Sequence, residues 1–123
     1  MTERFPDLEI YLLNPDAAAV SSWLATVFNT AAEVVSSSTG RTHWHINGMD
    51  VFLNDKAEKN FASLWFKQNS TPWNNDLDCG RAAFAALGYE VRCSDSGWQE
   101  GESEDAEGGW IKINRNGEKP FSW

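Results

Sequence analysis

Two histidines one residue apart, His43 and His45, are the side chains best spaced for chemistry. Successive residues of a strand point to opposite faces, so a strand over Arg41–Asn47 brings both imidazoles out on one face. Such a pair suits Zn, Fe or Mn, with a carboxylate from Glu9 or Asp50 as third ligand. The same alternation also describes an ordinary half-buried strand, with Thr42, Trp44 and Ile46 toward a core and the histidines toward water. That reading asks less of the sequence, so His43, His45 and Asp50 stand as weak metal candidates and no cofactor is expected. Cys79 falls in the first turn of a helix, where the dipole lowers a thiol pKa. A catalytic dyad would also need a histidine beside it, whereas a packed cysteine needs nothing. Asp76 and Asp78 read as helix-start charges before they read as an acid–base couple. No Walker loop, GxGxxG, GxSxG or HExxH occurs. No catalytic residue emerges, and binding is expected ahead of catalysis.

The aromatic residues point the same way. Seven Trp and seven Phe in 123 residues fill a core well, but Trp is also favoured on binding surfaces. The expected ligand-binding set is Trp44, Trp65, Trp98 and Trp110 with Glu9. Trp98 sits in Gly97-Trp98-Gln99-Glu100-Gly101, inside a polar, acidic, Gly-rich stretch, Gly97–Gly109, that reads as a long loop. It either closes over a pocket, stacking on a ligand ring, or anchors the base of its loop on the sheet. The formal net charge is −8, and without Glu100, Glu102, Glu104, Asp105 and Glu107 it would be −3. No basic cluster exists, which argues against nucleic acid. The field suits a cationic small molecule or a basic protein partner, and serves solubility equally. A homodimer is a further option.

These residues have to be positioned by one domain of 123 residues, 41% hydrophobic, enough to close a single core. No apolar run approaches the roughly 20 residues of a membrane span, and Met1–Pro6 lacks the pattern of a signal peptide. Two cysteines make neither a disulfide framework nor a zinc spacing, so a cytoplasmic location is expected. In the first half, 1–55, a strand Leu8–Leu13 leads into a helix over Pro15–Phe28. Val20, Trp23, Leu24, Val27 and Phe28 form its buried stripe, and Asn14, Pro15 and Asp16 suit its start. Strands follow at Ala32–Ser36, Arg41–Asn47 and Asp50–Asn54, with Asn47-Gly48 as a hairpin turn. In the second half, 61–123, a strand Phe61–Lys67 precedes a helix Asn75–Leu87, with Leu77, Ala83, Phe84 and Leu87 on one side and Gly88 as its stop. Tyr89–Ser94, Trp110–Asn114 and Pro120–Trp123 complete the set, with Asn116-Gly117 as a second hairpin turn. The expected class is α+β: two βαβββ-like modules forming a curved mixed or antiparallel sheet, with both helices packed on one side.

Strand, helix and three strands taken twice resemble the vicinal oxygen chelate superfamily, which includes glyoxalase I, extradiol dioxygenases and bleomycin-resistance proteins. Leu8–Asp16 looks like that family's opening strand and turn, Asp76–Val91 like its second helix and returning strand, and Ile113–Glu118 like its closing turn. The resemblance implies a cleft with a divalent metal. Of the positions that hold its ligands, Glu9 is acceptable and Asp50 a loose match. Ala62 or Ser63 and Phe121 or Ser122 supply no suitable donor. The resemblance therefore points to a metal-free binder of the bleomycin-resistance type. A metal-dependent enzyme using His43 and His45, or an acidic immunity- or chaperone-like protein, are its alternatives.

Overall fold

A computed structural model describes residues 7–94 and 110–121. The order along the chain is β1 (Leu8–Leu13), α1 (Ala17–Phe28), β2 (Glu33–Ser38), β3 (Arg41–Ile46) and β4 (Met49–Glu58), followed by β5 (Phe61–Phe66), α2 (Asp76–Leu87), β6 (Val91–Ser94), β7 (Trp110–Asn114) and β8 (Gly117–Phe121). The strands form one open sheet ordered β2-β3-β4-β5-β1-β6-β7-β8, antiparallel at every pairing. The class is α+β, and no helix of the described residues is long and apolar enough to cross a membrane.

Alternation decides which face is covered. Leu8, Ile10 and Leu12 of β1 are buried while Glu9, Tyr11 and Leu13 are half-buried, the period-2 pattern of a strand with one face in the core. Residues opposite one another on neighbouring strands share a face. Ile10 faces Leu64, Leu53 faces Leu64, and Trp44 faces Val51. These side chains join Val20, Trp23 and Leu24 of α1 and Cys79 and Ala83 of α2 in one core, so both helices lie on the same face. Trp73, from the connection after β5, stacks on Trp23 at 5.4 Å and meets Phe66 edge-on at 5.8 Å.

The helix α2 buries its smallest side chains, Cys79, Gly80 and Ala83, with Leu77, Phe84 and Leu87 only packed against the core margin. A Cβ built on Gly80 would stand 3.1 Å from Cys93 Sγ, 3.2 Å from Val91 Cγ1 and 3.3 Å from Ile113 Cδ1. That close approach is why glycine serves there.

Several expected details change. Asp16, not Asn14, caps α1, its carboxylate accepting from the Ala18 N–H. Asn14 is spent on the turn before it, at φ 45°, its N–H donating to the Asn60 carbonyl at 2.9 Å. The strand β4 runs on to Glu58 through a register slip between Asn54 and Glu58. Asn47 and Gly48 both have positive φ, as a type I′ turn needs. The last hairpin pairs Asn114 with Gly117; its central residues Arg115 and Asn116 are not among the positive-φ residues, and Gly117 takes φ 109° after them. This hairpin therefore does not close with the type I′ turn that Asn116-Gly117 suggested.

The two halves repeat their order along the chain but not their order in the sheet. The last strand of the first meander, β4, lies beside β5, whereas the first strand of the second meander, β6, lies beside β1. Each leading strand thus sits at the centre, next to the other half.

Candidate functional site

The face of the sheet opposite the helices gathers most of the candidate residues. On it β1 places Glu9 and Tyr11 against Trp65 and Ser63 of β5. On β4, Phe52 and Asn54 oppose the same two β5 residues from the other side. Next come His43 and His45 of β3, opposite Phe52 and Asp50. Across β1, Tyr11 opposes Arg92, which opposes Lys112.

The rings form two groups. His43 stacks on Phe52 at 4.3 Å and Phe52 on Trp65 at 5.5 Å, while Arg41 lies 4.5 Å over the Phe52 ring. The Trp65 indole N–H donates to Asp7 at 2.8 Å. In the second group Tyr11 meets Trp110 edge-on at 5.8 Å, and Arg92 lies 4.3 Å over Phe61. Offset and edge-on contacts of this kind add about 0.5–1.5 kcal/mol each beyond the area they bury.

Glu9 stands between the groups, half-buried on the central strand. The Ser63 hydroxyl donates to its carboxylate at 2.5 Å, and its own backbone N–H donates to Asp76 Oδ1 at 3.1 Å. The Tyr11 hydroxyl also bonds it: burial first, then the charges of Glu9 and Glu58, push the phenol pKa above its ordinary value. The middle of this face is therefore acidic and ringed by aromatic surface.

Glu9, Trp65 and Trp110 share the open face, as do His43, His45 and Asp50. Trp44 does not: even positions of β3 face the core, and it is buried with its indole nitrogen unpartnered, out of reach of any ligand on the open face. Trp98 and the acidic stretch Gly97–Gly109 lie outside the described residues. His43 Nε2 lies 2.9 Å from Asp50 Oδ1, and this hydrogen bond holds the Asp50 carboxyl below its ordinary range. Glu9 cannot join them as a metal ligand, because β1 and β3 are three strand spacings apart in the sheet order, roughly 14 Å. Among the described residues no three His, Cys, Asp or Glu side chains are grouped to hold a metal ion.

Cys79 is not the activated thiol that its place in the helix suggested. It is fully buried on the helix side, and desolvation outweighs the helix start, pushing its thiol pKa well up. The sheet separates it from both histidines, so no dyad forms.

Phe52, Tyr11, Phe61, Arg41 and Arg92 are site residues that the sequence did not single out, and Ser63 was weighed only as an unsuitable metal ligand. Their signal was alternation: all but Arg92 fall two residues from a marked residue or from another residue of the same face. A second feature, at the rim, is a hollow of about 270 Å3 lined by Asn14, Pro15, Asp55, Lys56, Asn60 and Ala62. It lies where the register slip of β4 meets the turn before α1. Asn14, Lys56 and Lys59 hold φ values of 45°, 52° and 57° around it.

Comparisons with protein-family models, with curated proteins and with solved structures each gave no match.

Proposed function

We propose that this chain is a non-enzymatic small-molecule-binding protein, and that its ligand is a planar aromatic cation lying on the open face of the sheet. One observation carries the reading: a half-buried carboxylate, Glu9, stands between the stacked group His43–Phe52–Trp65 and the pair Tyr11–Trp110. Aromatic faces attract both flat rings and positive charge, and a partly desolvated carboxylate fixes where that charge sits. Kinship with the vicinal oxygen chelate superfamily, in two βαβββ-like modules, belongs to the same proposal; its support is the element order shared by both halves. A cytoplasmic setting completes the proposal, supported by two buried cysteines that are not joined in a disulfide.

The test is a titration with a cationic acridine dye, followed by quenching of tryptophan emission. Saturable binding is expected, abolished by Trp65→Ala and weakened about tenfold by Glu9→Gln, the worth of one charge-assisted contact. A neutral dye of the same shape should bind as weakly to the parent as the cation binds to Glu9→Gln. Equal dye affinity in the parent and both variants would sink the proposal.

A further inference from the structure

One edge of the sheet is open in a way the other is not. The strand β2 is terminal in the sheet order, and all six of its residues are exposed. Val34 and Val35, 53% and 54% exposed, are the large hydrophobic side chains that the described residues leave in water. The register slips between Val34 and Ser36, a bulge that turns neighbouring side chains toward one side. From Val34 to Gly40 the chain carries no charge, in a protein of net charge −8. An unpaired backbone ladder with apolar, uncharged side chains is a template for another strand.

The opposite edge refuses such pairing. The strand β8 carries Glu118, Lys119 and Pro120 within its five residues. Proline has no N–H to donate, and paired charges on an edge repel an incoming strand. Glu118 is also tied to Arg81 at 2.7 Å.

We propose that β2 pairs antiparallel with β2 of a second copy of this chain, joining two sheets edge to edge across a two-fold axis. The uncharged stretch Val34–Ser38 of β2 gives a charged peptide nothing to grip. A second copy answers it in kind, with its own valines and its own free ladder, at the stretch where two acidic molecules meet without facing like charges. Because β8 cannot receive β2, head-to-tail growth is blocked and assembly closes at the dimer. One six-residue ladder is a small interface, so the dimer forms in a concentration-dependent way.

The test is sedimentation equilibrium of the full chain over a concentration series, with amide hydrogen exchange measured at each point. The mass should rise from one chain to two and stop, while amides within 34–37 gain protection in step. Val35→Lys and Ser37→Lys, which bring like charges together across the axis, should each weaken dimerisation by at least about tenfold with unchanged circular dichroism and melting. Lys119→Ala, on the other edge, should change nothing. A single-chain mass at every concentration, a dimer untouched by both lysine variants, or growth past two chains would each overturn the proposal.

Discussion

Tyr11 keeps its proton more tightly than a free phenol because its ring is partly buried and its hydroxyl meets a carboxylate. Removing that carboxylate with Glu9→Gln should lower the Tyr11 pKa part of the way toward 10.0, its ordinary value, since burial remains. With two tyrosines in the chain, an ultraviolet titration of tyrosinate in a Tyr89→Phe background reads the Tyr11 phenol alone. Cys79 behaves likewise for a stronger reason, complete burial. Both groups have folded pKa values above their unfolded ones, so their neutral forms favour the fold at neutral pH. Stability should hold up to about pH 9, the ordinary thiol value, and fall as pH rises beyond it. Denaturant unfolding at pH 7 and pH 10 checks this, and a Cys79→Ala variant should show the smaller loss. On the acid side the sign reverses. Asp50 is held below its usual range first by the His43 hydrogen bond, so His43→Ala should raise its pKa, read by carboxyl carbon shifts in NMR.

At the scale of elements, the sequence carried what is local and missed what depends on neighbours. The stripe of α1 was legible because Val20, Trp23 and Leu24 follow the helical period, and all three are buried. The strand β5 was legible as an apolar run, and five of its six residues are buried. The cap of α1 was harder. Asn14 and Asp16 are both capping types; Asp16 takes the cap in extended backbone, while Asn14, bonded to Asn60 46 positions on, lies at φ 45° in the turn before it. The same holds for the site: Glu9 and Trp65 were marked separately, but what sets them side by side is the β1–β5 register. Tyr11 and Phe52 went unmarked because a half-buried ring reads alike on either face. Asp16→Ala should cost about 1 kcal/mol, the usual worth of an N-cap. Trp23→Ala should cost about 3–5 kcal/mol, and Phe84→Ala less, since Phe84 only borders the core. Gly80→Ala sets a helix-propensity gain of about 1 kcal/mol against three contacts at 3.1–3.3 Å. The added methyl should lose that contest and destabilise by about 1–2 kcal/mol, measured by urea unfolding.

For the molecule as a whole, the crossing at the centre of the sheet has a kinetic consequence. The strand β1 leaves the start of the chain to pair with β5 and β6, Leu8 with Phe66 and Leu12 with Val91. Hairpins β3–β4 and β7–β8 close over two-residue turns and can form early and alone. The first flank gains its central neighbour locally, since β5 follows β4 after two residues, but β1 reaches β5 and β6 only when distant parts of the chain come together. Loop-closure entropy must be met before those contacts return anything, which places refolding on the slow, millisecond-to-second side of the range for domains of this size. Stopped-flow refolding followed by Trp emission should show one dominant phase, and Ile10→Val, on the central strand, should slow it. The complementary substitution Val91→Ala should act more on unfolding, if β6 docks after β1 and β5 have met. The half-chains 1–60 and 61–123 should each be unfolded alone and regain structure only when mixed. In this chain, the seam between the halves is where cooperativity resides.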